Sequence, residues 1–259
     1  MYEGADPPVK QFYQDKLDVR IYGTRDEMGN AAAADIKACI LKLLETKAIL
    51  NMIFAAAPSQ NEVLASLAGD PEIPWNRVQA FHMDEYIGLS PDAPQGFGNF
   101  LRRALFDLAP FAKVNYIDCA AADAQAECDR YAGLLRENPV DIVVMGIGEN
   151  GHIAFNDPPV ADFADKALVK IVELDPICRQ QQVNDGCFAG LSQVPTHALT
   201  LTVPALMAAQ HRFCIVPAPT KAKAVAATVH GAVGEHCPAT CLRVSGGVLY
   251  LDPDSASLL

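Results

Sequence analysis

Positive charge is scarce in this sequence: 20 lysines and arginines stand against 31 aspartates and glutamates, for a net charge of -11. That balance excludes a broad basic surface for nucleic acid or an anionic membrane, although a small basic pocket is compatible with it. Long apolar runs are also missing. None reaches the roughly 18 residues from which a membrane-spanning helix is read. The opening residues Met1-Tyr-Glu-Gly-Ala-Asp-Pro-Pro8 lack the basic stretch and apolar core of a signal peptide. The cysteines at 39, 119, 128, 178, 187, 214, 237 and 241 form no C-x-x-C pair. Cys39 and Cys214 lie in apolar runs, so buried free thiols are expected, and with them a reducing cytoplasm. His236, Cys237 and Cys241 make at most half of a zinc site, with no second cluster to complete it, so no metal is expected. No repeat, low-complexity segment or linker-like shift in composition divides the chain.

What is present is an alternation of apolar runs and amphipathic segments. At 259 residues, a single domain over 1–259 is the expectation. Residues 1–17 are polar and read as an arm or short helix. Strands are expected over 19–22, 50–57, 78–83, 114–117, 142–145, 168–174, 197–203, 213–217 and 248–251. Helices fall between them. The helix after Thr24-x-x-Glu27 carries Ile36, Ile40, Leu43 and Leu44 on one face. A second capping box, Ser59 with Glu62, is expected to open a helix through Leu67. Further helical segments are read at 121–136, at 175–182 and at 220–230 before Gly231. Strand alternating with helix gives an α/β fold: a doubly wound, mostly parallel sheet in a Rossmann-like three-layer arrangement.

The stretch 140–159 is the one the rest is organised around. Ile142 to Met145 is a short apolar run, as expected of a strand buried on both faces. It breaks into Gly146-Ile-Gly148-Glu-Asn-Gly151, then His152, Asn156 and Asp157. The glycines match the dinucleotide fingerprint, with Glu173 at a suitable distance for a ribose contact. Pro158 and Pro159 would stop the helix that fingerprint requires, so nucleotide binding is set aside.

Polar clusters recur where apolar strands end: Ser59-Gln60, Asp84-Glu85, His152 to Asp157, and Lys221 after Pro217-Ala-Pro-Thr. A parallel sheet brings such ends to one rim. The set offers carboxylates, an imidazole, a lysine and a helix N-terminus. That suits proton transfer on a small anionic substrate, and no serine or cysteine nucleophile stands beside a base. Asp84 is the candidate base. His152, beside three glycines that let it approach a ligand closely, is the candidate proton carrier, and Asp157 is placed to orient it. Lys221, in the first turn of a helix, opposes the helix dipole, a placement that hints at a ligand. Ser59 either caps its helix or binds phosphate there.

Phe81-His-Met-Asp-Glu-Tyr-Ile-Gly-Leu89 and Gly146-Ile-Gly-Glu-Asn-Gly-His-Ile-Ala-Phe-Asn-Asp-Pro158 resemble the two hallmark motifs of glucosamine-6-phosphate deaminases (isomerases). Val194-Pro-Thr-His-Ala-Leu-Thr200 and the Lys221 helix fit as well, so the resemblance spans roughly 20–252. It implies ring opening by His152 supported by Asp157, proton transfer between C2 and C1 by Asp84, and loss of ammonia to give a ketose phosphate. It implies neither metal nor organic cofactor. Ser59, Gln60, Glu85, Gly148, Arg179 and Lys221 are the expected contacts to the substrate and its phosphate. The partner is thus a small phosphosugar; homo-oligomerisation is compatible with the sequence and not specified by it.

Three departures stand out. The family usually has an aspartate where this chain has Asn150, which can hold a hydrogen bond but cannot take a proton. Its glycine-rich phosphate loop is here Ala55-Ala-Ala-Pro-Ser-Gln60. Its phosphate arginine falls near Gln182, which leaves Arg179 or Lys221 to supply charge. Activation by an amino-sugar effector is not expected, because basic residues are missing after Asp157. A sugar-lactone hydrolase, an isomerase of another phosphosugar, and a non-catalytic sugar-phosphate sensor are the competing readings. The sensor is disfavoured because residues before Asp18 are too few for a DNA-binding motif.

Overall fold

The computed structural model describes residues 7–259. The part of the expected arm that falls in 1–6 lies outside them. Its remainder is not helical: Lys10–Gln14 (β1) pairs antiparallel with Leu17–Ile21 (β2). β1 is polar and exposed at a sheet edge, so no apolar run marks it.

Helix Arg25–Leu44 (α1) starts at the expected box. Thr24 accepts from the Glu27 amide, and the Glu27 carboxylate reaches back to the Gly23 amide. Then come strand Leu50–Phe54 (β3), helix Asn61–Ala68 (α2) and strand Val78–His82 (β4). The short strand Asp84–Tyr86 (β5) leads to helix Phe97–Leu101 (α3), strand Lys113–Asn115 (β6), helix Ala124–Glu137 (α4) and strand Ile142–Met145 (β7). The second half holds strand Val169–Glu173 (β8), helix Pro176–Asn184 (α5), strand His197–Leu201 (β9) and helix Val203–Met207 (α6). It closes with strand His211–Val216 (β10), helices Ala222–His230 (α7) and Cys241–Ser245 (α8), and strand Gly247–Leu251 (β11).

The main sheet runs β1-β2-β11-β10-β7-β3-β4-β6 and is parallel apart from β1. Alternation along its strands feeds two cores. Ile142 and Val144 join α1 and α2 residues such as Ile36, Ile40 and Leu64 on one face. Val143 and Met145 join α4 and α7 residues such as Tyr131 and Val225 on the other. Burying each Leu, Ile or Val side chain is worth about 1.5–3 kcal/mol, so these two layers dominate the fold's stability.

Two sequence-expected strands do not belong to this sheet. β8 and β9 form a separate antiparallel sheet with β5, in the order β5-β9-β8. Asp84 therefore opens a strand of the small sheet instead of a loop. Winding reverses between β3 and β7: from β3 the chain moves outward to β4 and β6, then returns to β7 on the other flank. A crevice at the carboxyl ends of β3 and β7 is the place where such a sheet binds ligands. No helix of the described residues is long and apolar enough to cross a membrane.

Candidate active site

The crevice is a cavity lined by four segments. The loop after β3 gives Ala55 to Gln60, and the junction of β4 and β5 gives Met83 and Asp84. The loop after β7 gives Gly146 to Gly148 and His152, and the turn after β10 gives Pro217, Ala218, Thr220 and Lys221. The wall is completed by Arg25, Phe97, Ala154, Phe155, Gln181, Gln182 and Asp185. Of the ten residues singled out in the sequence, six line this cavity: Ser59, Gln60, Asp84, Gly148, His152 and Lys221. Asn150 and Asp157 stand behind it. Glu85 and Arg179 do not reach it.

Asp84 is 6 % exposed, and no side chain or amide among the described residues donates to its carboxylate. Burial, and secondarily the Glu85 charge, raise its pKa well above the usual carboxylate range. Its backbone is fixed by His82, a residue the sequence reading passed over. The amide of Ile117 donates to His82 Nε2 at 2.9 Å, which puts the ring proton on Nδ1, and Nδ1 donates to the Asp84 carbonyl at 2.9 Å. Burial pushes the His82 pKa down to about 4, so that ring stays neutral. Tyr131 clamps the same strand end, accepting from the His82 amide and donating to its carbonyl.

His152 follows the glycine bend. Gly151 has φ +85°, and a Cβ there would sit 2.7 Å from Cys237 Sγ, so only glycine fits. A Cβ on Gly148 would lie 2.0 Å from the His152 ring. Gly148 is thus the floor on which the imidazole rests. The ring's back edge is fully used. Asn150 Nδ2 donates to Asp157 Oδ1 at 2.9 Å, so Asn150 Oδ1 is an acceptor and takes His152 Nδ1–H at 2.7 Å. Asp157 Oδ1 lies 3.0 Å from the same nitrogen. The proton is thereby held on Nδ1, and Nε2 has no protein partner among the described residues. Burial alone would raise the Asp157 pKa, but its bond to His152 and the donation from Asn150 bring it below the usual value. Asn150 cannot exchange a proton, yet it fixes the tautomer.

His152, Asp157 and Cys178 offer ligand atoms within 4.8 Å of one another, a grouping the sequence reading did not see. Metal ligation needs a thiolate, and burial raises the Cys178 thiol pKa well above its ordinary value, which disfavours one. The facing atoms of His152 and Asp157 are also occupied with each other. His236, Cys237 and Cys241 form no such group among the described residues.

Lys221 ends the 3-10 turn Pro219–Lys221 and is 5 % exposed. No carboxylate lies within ion-pair distance of its ammonium among the described residues. Burial lowers its pKa, opposed by the more distant charges of Asp185 and Glu149. Burying a cation without a direct partner is costly, and an anion entering the cavity would relieve that cost. The same turn carries Ala218 at φ +85°, a backbone region that favours glycine, held by its amide's bond to the buried Asp252 carboxylate.

Ser59 does not cap α2. Pro58 opens a 3-10 turn over Pro58–Gln60, Gln60 occupies the cap position, and Glu62 pairs with Arg25 at 2.8 Å. The capping box therefore does not form. Gln60 Nε2 donates to Ser59 Oγ at 3.1 Å and to the Ile215 carbonyl at 3.0 Å. That occupies the serine as an acceptor and leaves its O–H to donate toward the cavity. Ser59→Ala is accordingly expected to change thermal stability by less than about 0.5 kcal/mol, since no cap is lost, while weakening substrate binding several-fold. A melting curve beside a Michaelis plot separates the two; a drop in stability with unchanged KM would contradict the assignment.

Two expected contacts are structural. Glu85 accepts from the amides of Tyr86, Phe97 and Gly98 at 2.9–3.0 Å, satisfying the open N-terminus of α3. Arg179 donates to the carbonyls of Leu191 and Val194 at 2.9 and 2.7 Å and ties down the loop before β9. The dinucleotide reading also fails on the backbone, because residues 146–168 contain no helix to receive a pyrophosphate.

Fold and cavity together define an α/β protein in which a buried carboxylate, an imidazole and a buried ammonium share one crevice. Residues 23–251 match the model of the family described as glucosamine-6-phosphate isomerases/6-phosphogluconolactonase, and the chain belongs to that family. A glucosamine-6-phosphate deaminase of Listeria innocua is 33 % identical over 89 % of this chain and 97 % of its own length. One from Bacillus thuringiensis is 30 % identical over 93 % of this chain and 89 % of its own. Among solved structures, a monomeric glucosamine-6-phosphate deaminase superposes with a TM-score of 0.84 at 25 % identity, covering 93 % of this chain and 99 % of that one. The 6-phosphogluconolactonase of Thermotoga maritima shares the fold, with a TM-score of 0.72 at 23 % identity, covering 90 % of this chain and 99 % of its own.

Proposed function

We propose that the protein is a glucosamine-6-phosphate deaminase, converting the aldose phosphate and water into a ketose phosphate and ammonia. The observation that carries this reading is the convergence of Asp84, His152 Nε2 and the unpaired Lys221 on one cavity. Lys221 and the Ser59 hydroxyl bind the phosphate, which places the sugar between the other two groups. His152, with its proton fixed on Nδ1, exchanges a proton with the ring oxygen and the anomeric hydroxyl through Nε2, opening the ring. Asp84 removes the proton from C2 of the open aldose and returns it at C1, leaving an imine at C2. Water adds there and ammonia leaves. A base in a dry site with a raised pKa suits abstraction next to a carbonyl. The eight free thiols fit a reducing compartment, in keeping with a cytoplasmic enzyme.

Purified protein incubated with glucosamine 6-phosphate, its galactosamine isomer and a sugar-acid lactone phosphate tests the reading. Ammonia and ketose from a hexosamine phosphate are expected. Acid release from the lactone with no ammonia would reassign the site to hydrolysis.

A further inference from the structure

Arg25, one of the two residues left unspecified in Thr24-x-x-Glu27, lines the cavity. It occupies the first position of α1, where a cation opposes the helix dipole as at Lys221. Its guanidinium is fixed against the phosphate loop. Nη2 donates to the Pro58 carbonyl at 2.8 Å, and Nε stands 2.8 Å from Glu62 Oε1. Nη1 has no partner among the described residues. Gln182, near where the family resemblance places a phosphate-gripping arginine, lines the same cavity. It is 7 % exposed, and its side-chain amide makes no hydrogen bond among the described residues. The cavity thus has a neutral amide on α5 and an arginine on α1.

We propose that Arg25 is the second cation of the phosphate subsite, donating Nη1–H to a phosphate oxygen while Lys221 and Ser59 hold the others, so that this chain draws the charge from α1 instead of α5. The proposal rests on reading the cavity as a phosphosugar site and adds to it a residue that sets affinity for the phosphorylated substrate. A guanidinium already held by Pro58 and Glu62 loses little side-chain freedom on binding, which favours its use as a clamp.

The test combines kinetics with glucosamine 6-phosphate and calorimetric titration of inorganic phosphate. Arg25→Gln is expected to raise KM about tenfold with kcat changed little, and to weaken phosphate binding in parallel. Arg25→Lys should recover part of the loss. Arg25→Gln combined with Gln182→Arg should recover most of it, because an arginine returns to the cavity from the other helix. A KM and phosphate affinity equal to wild type in Arg25→Gln would overturn the proposal. So would failure of the double variant to regain affinity at an unchanged melting temperature, which would assign Arg25 to packing of the 55–60 loop. If wild type binds phosphate through Arg25 but releases no ammonia, the subsite stands and the proposed reaction falls. If wild type turns over and Arg25→Gln is indifferent, the reverse holds.

Discussion

Replacing Asp84 with asparagine is expected to lower kcat by about three orders of magnitude and to raise the melting temperature at neutral pH by a few degrees, on the order of one kcal/mol of stability. Both effects come from the same burial. In the folded protein the Asp84 pKa lies well above its ordinary value, first because of burial and then because of Glu85. The native state therefore holds that proton more tightly than the unfolded chain does. As pH rises past the unfolded value of about 4, the unfolded chain ionises freely and the native state does not, so stability falls until the folded pKa is passed. Asparagine carries no such cost. The gain in melting temperature should be largest near neutrality and vanish toward about pH 3. The acid limb of kcat/KM in the wild type should likewise lie above the ordinary aspartate range and be missing from the residual rate of the variant. Full activity in Asp84→Asn, or a lower melting temperature at every pH, would remove Asp84 from the role of base.

Lys221→Met is expected to raise KM for glucosamine 6-phosphate about a hundredfold, the loss of a charged hydrogen bond in a desolvated site. KM for unphosphorylated glucosamine should stay put, because no anion is then lost. Stability should again increase. Burial depresses the lysine pKa, so the folded state carries the charge at a cost below that pKa, and the cost lifts as pH approaches the free-lysine value of about 10.4. Equal KM in the two proteins would place the phosphate elsewhere.

The sequence made the frame and the centre of the site readable, and the reasons are local. β7 and β10 are apolar runs that no solvated segment would tolerate, and strand ends in a parallel sheet share a rim by geometry. Asp84, His152 and Lys221 followed from that rule alone. What could not be read depended on distant partners. β1 is a polar edge strand, and β5 has three residues, too few for periodicity to register. That β8 and β9 are extended was legible, but their departure into a second sheet was not, since nothing local distinguishes the two. Glu85 was misread because the helix it caps begins 12 residues later. Arg179 looked free because its two acceptors are carbonyls, which carry no sequence signal. Arg25 was hidden because the loop it holds lies 33 residues away.

Asp84 is mounted on the small sheet, whereas His152 hangs from the main one. Tyr86 of β5 packs against Phe155 of the loop after His152 at 5.4 Å between ring centres, and both pack against Phe97 at 4.9 and 5.5 Å. Hydrogen bonds join the two platforms as well: the Phe155 amide donates to Thr200 Oγ1 at 3.1 Å and Asn156 Nδ2 to the Leu201 carbonyl at 2.8 Å, both on β9, where Thr200 stands opposite Asp84. Rings and bonds together fasten the loop that carries the imidazole to the strand that carries the carboxylate, so the two sheets hold these groups in one frame before a sugar enters.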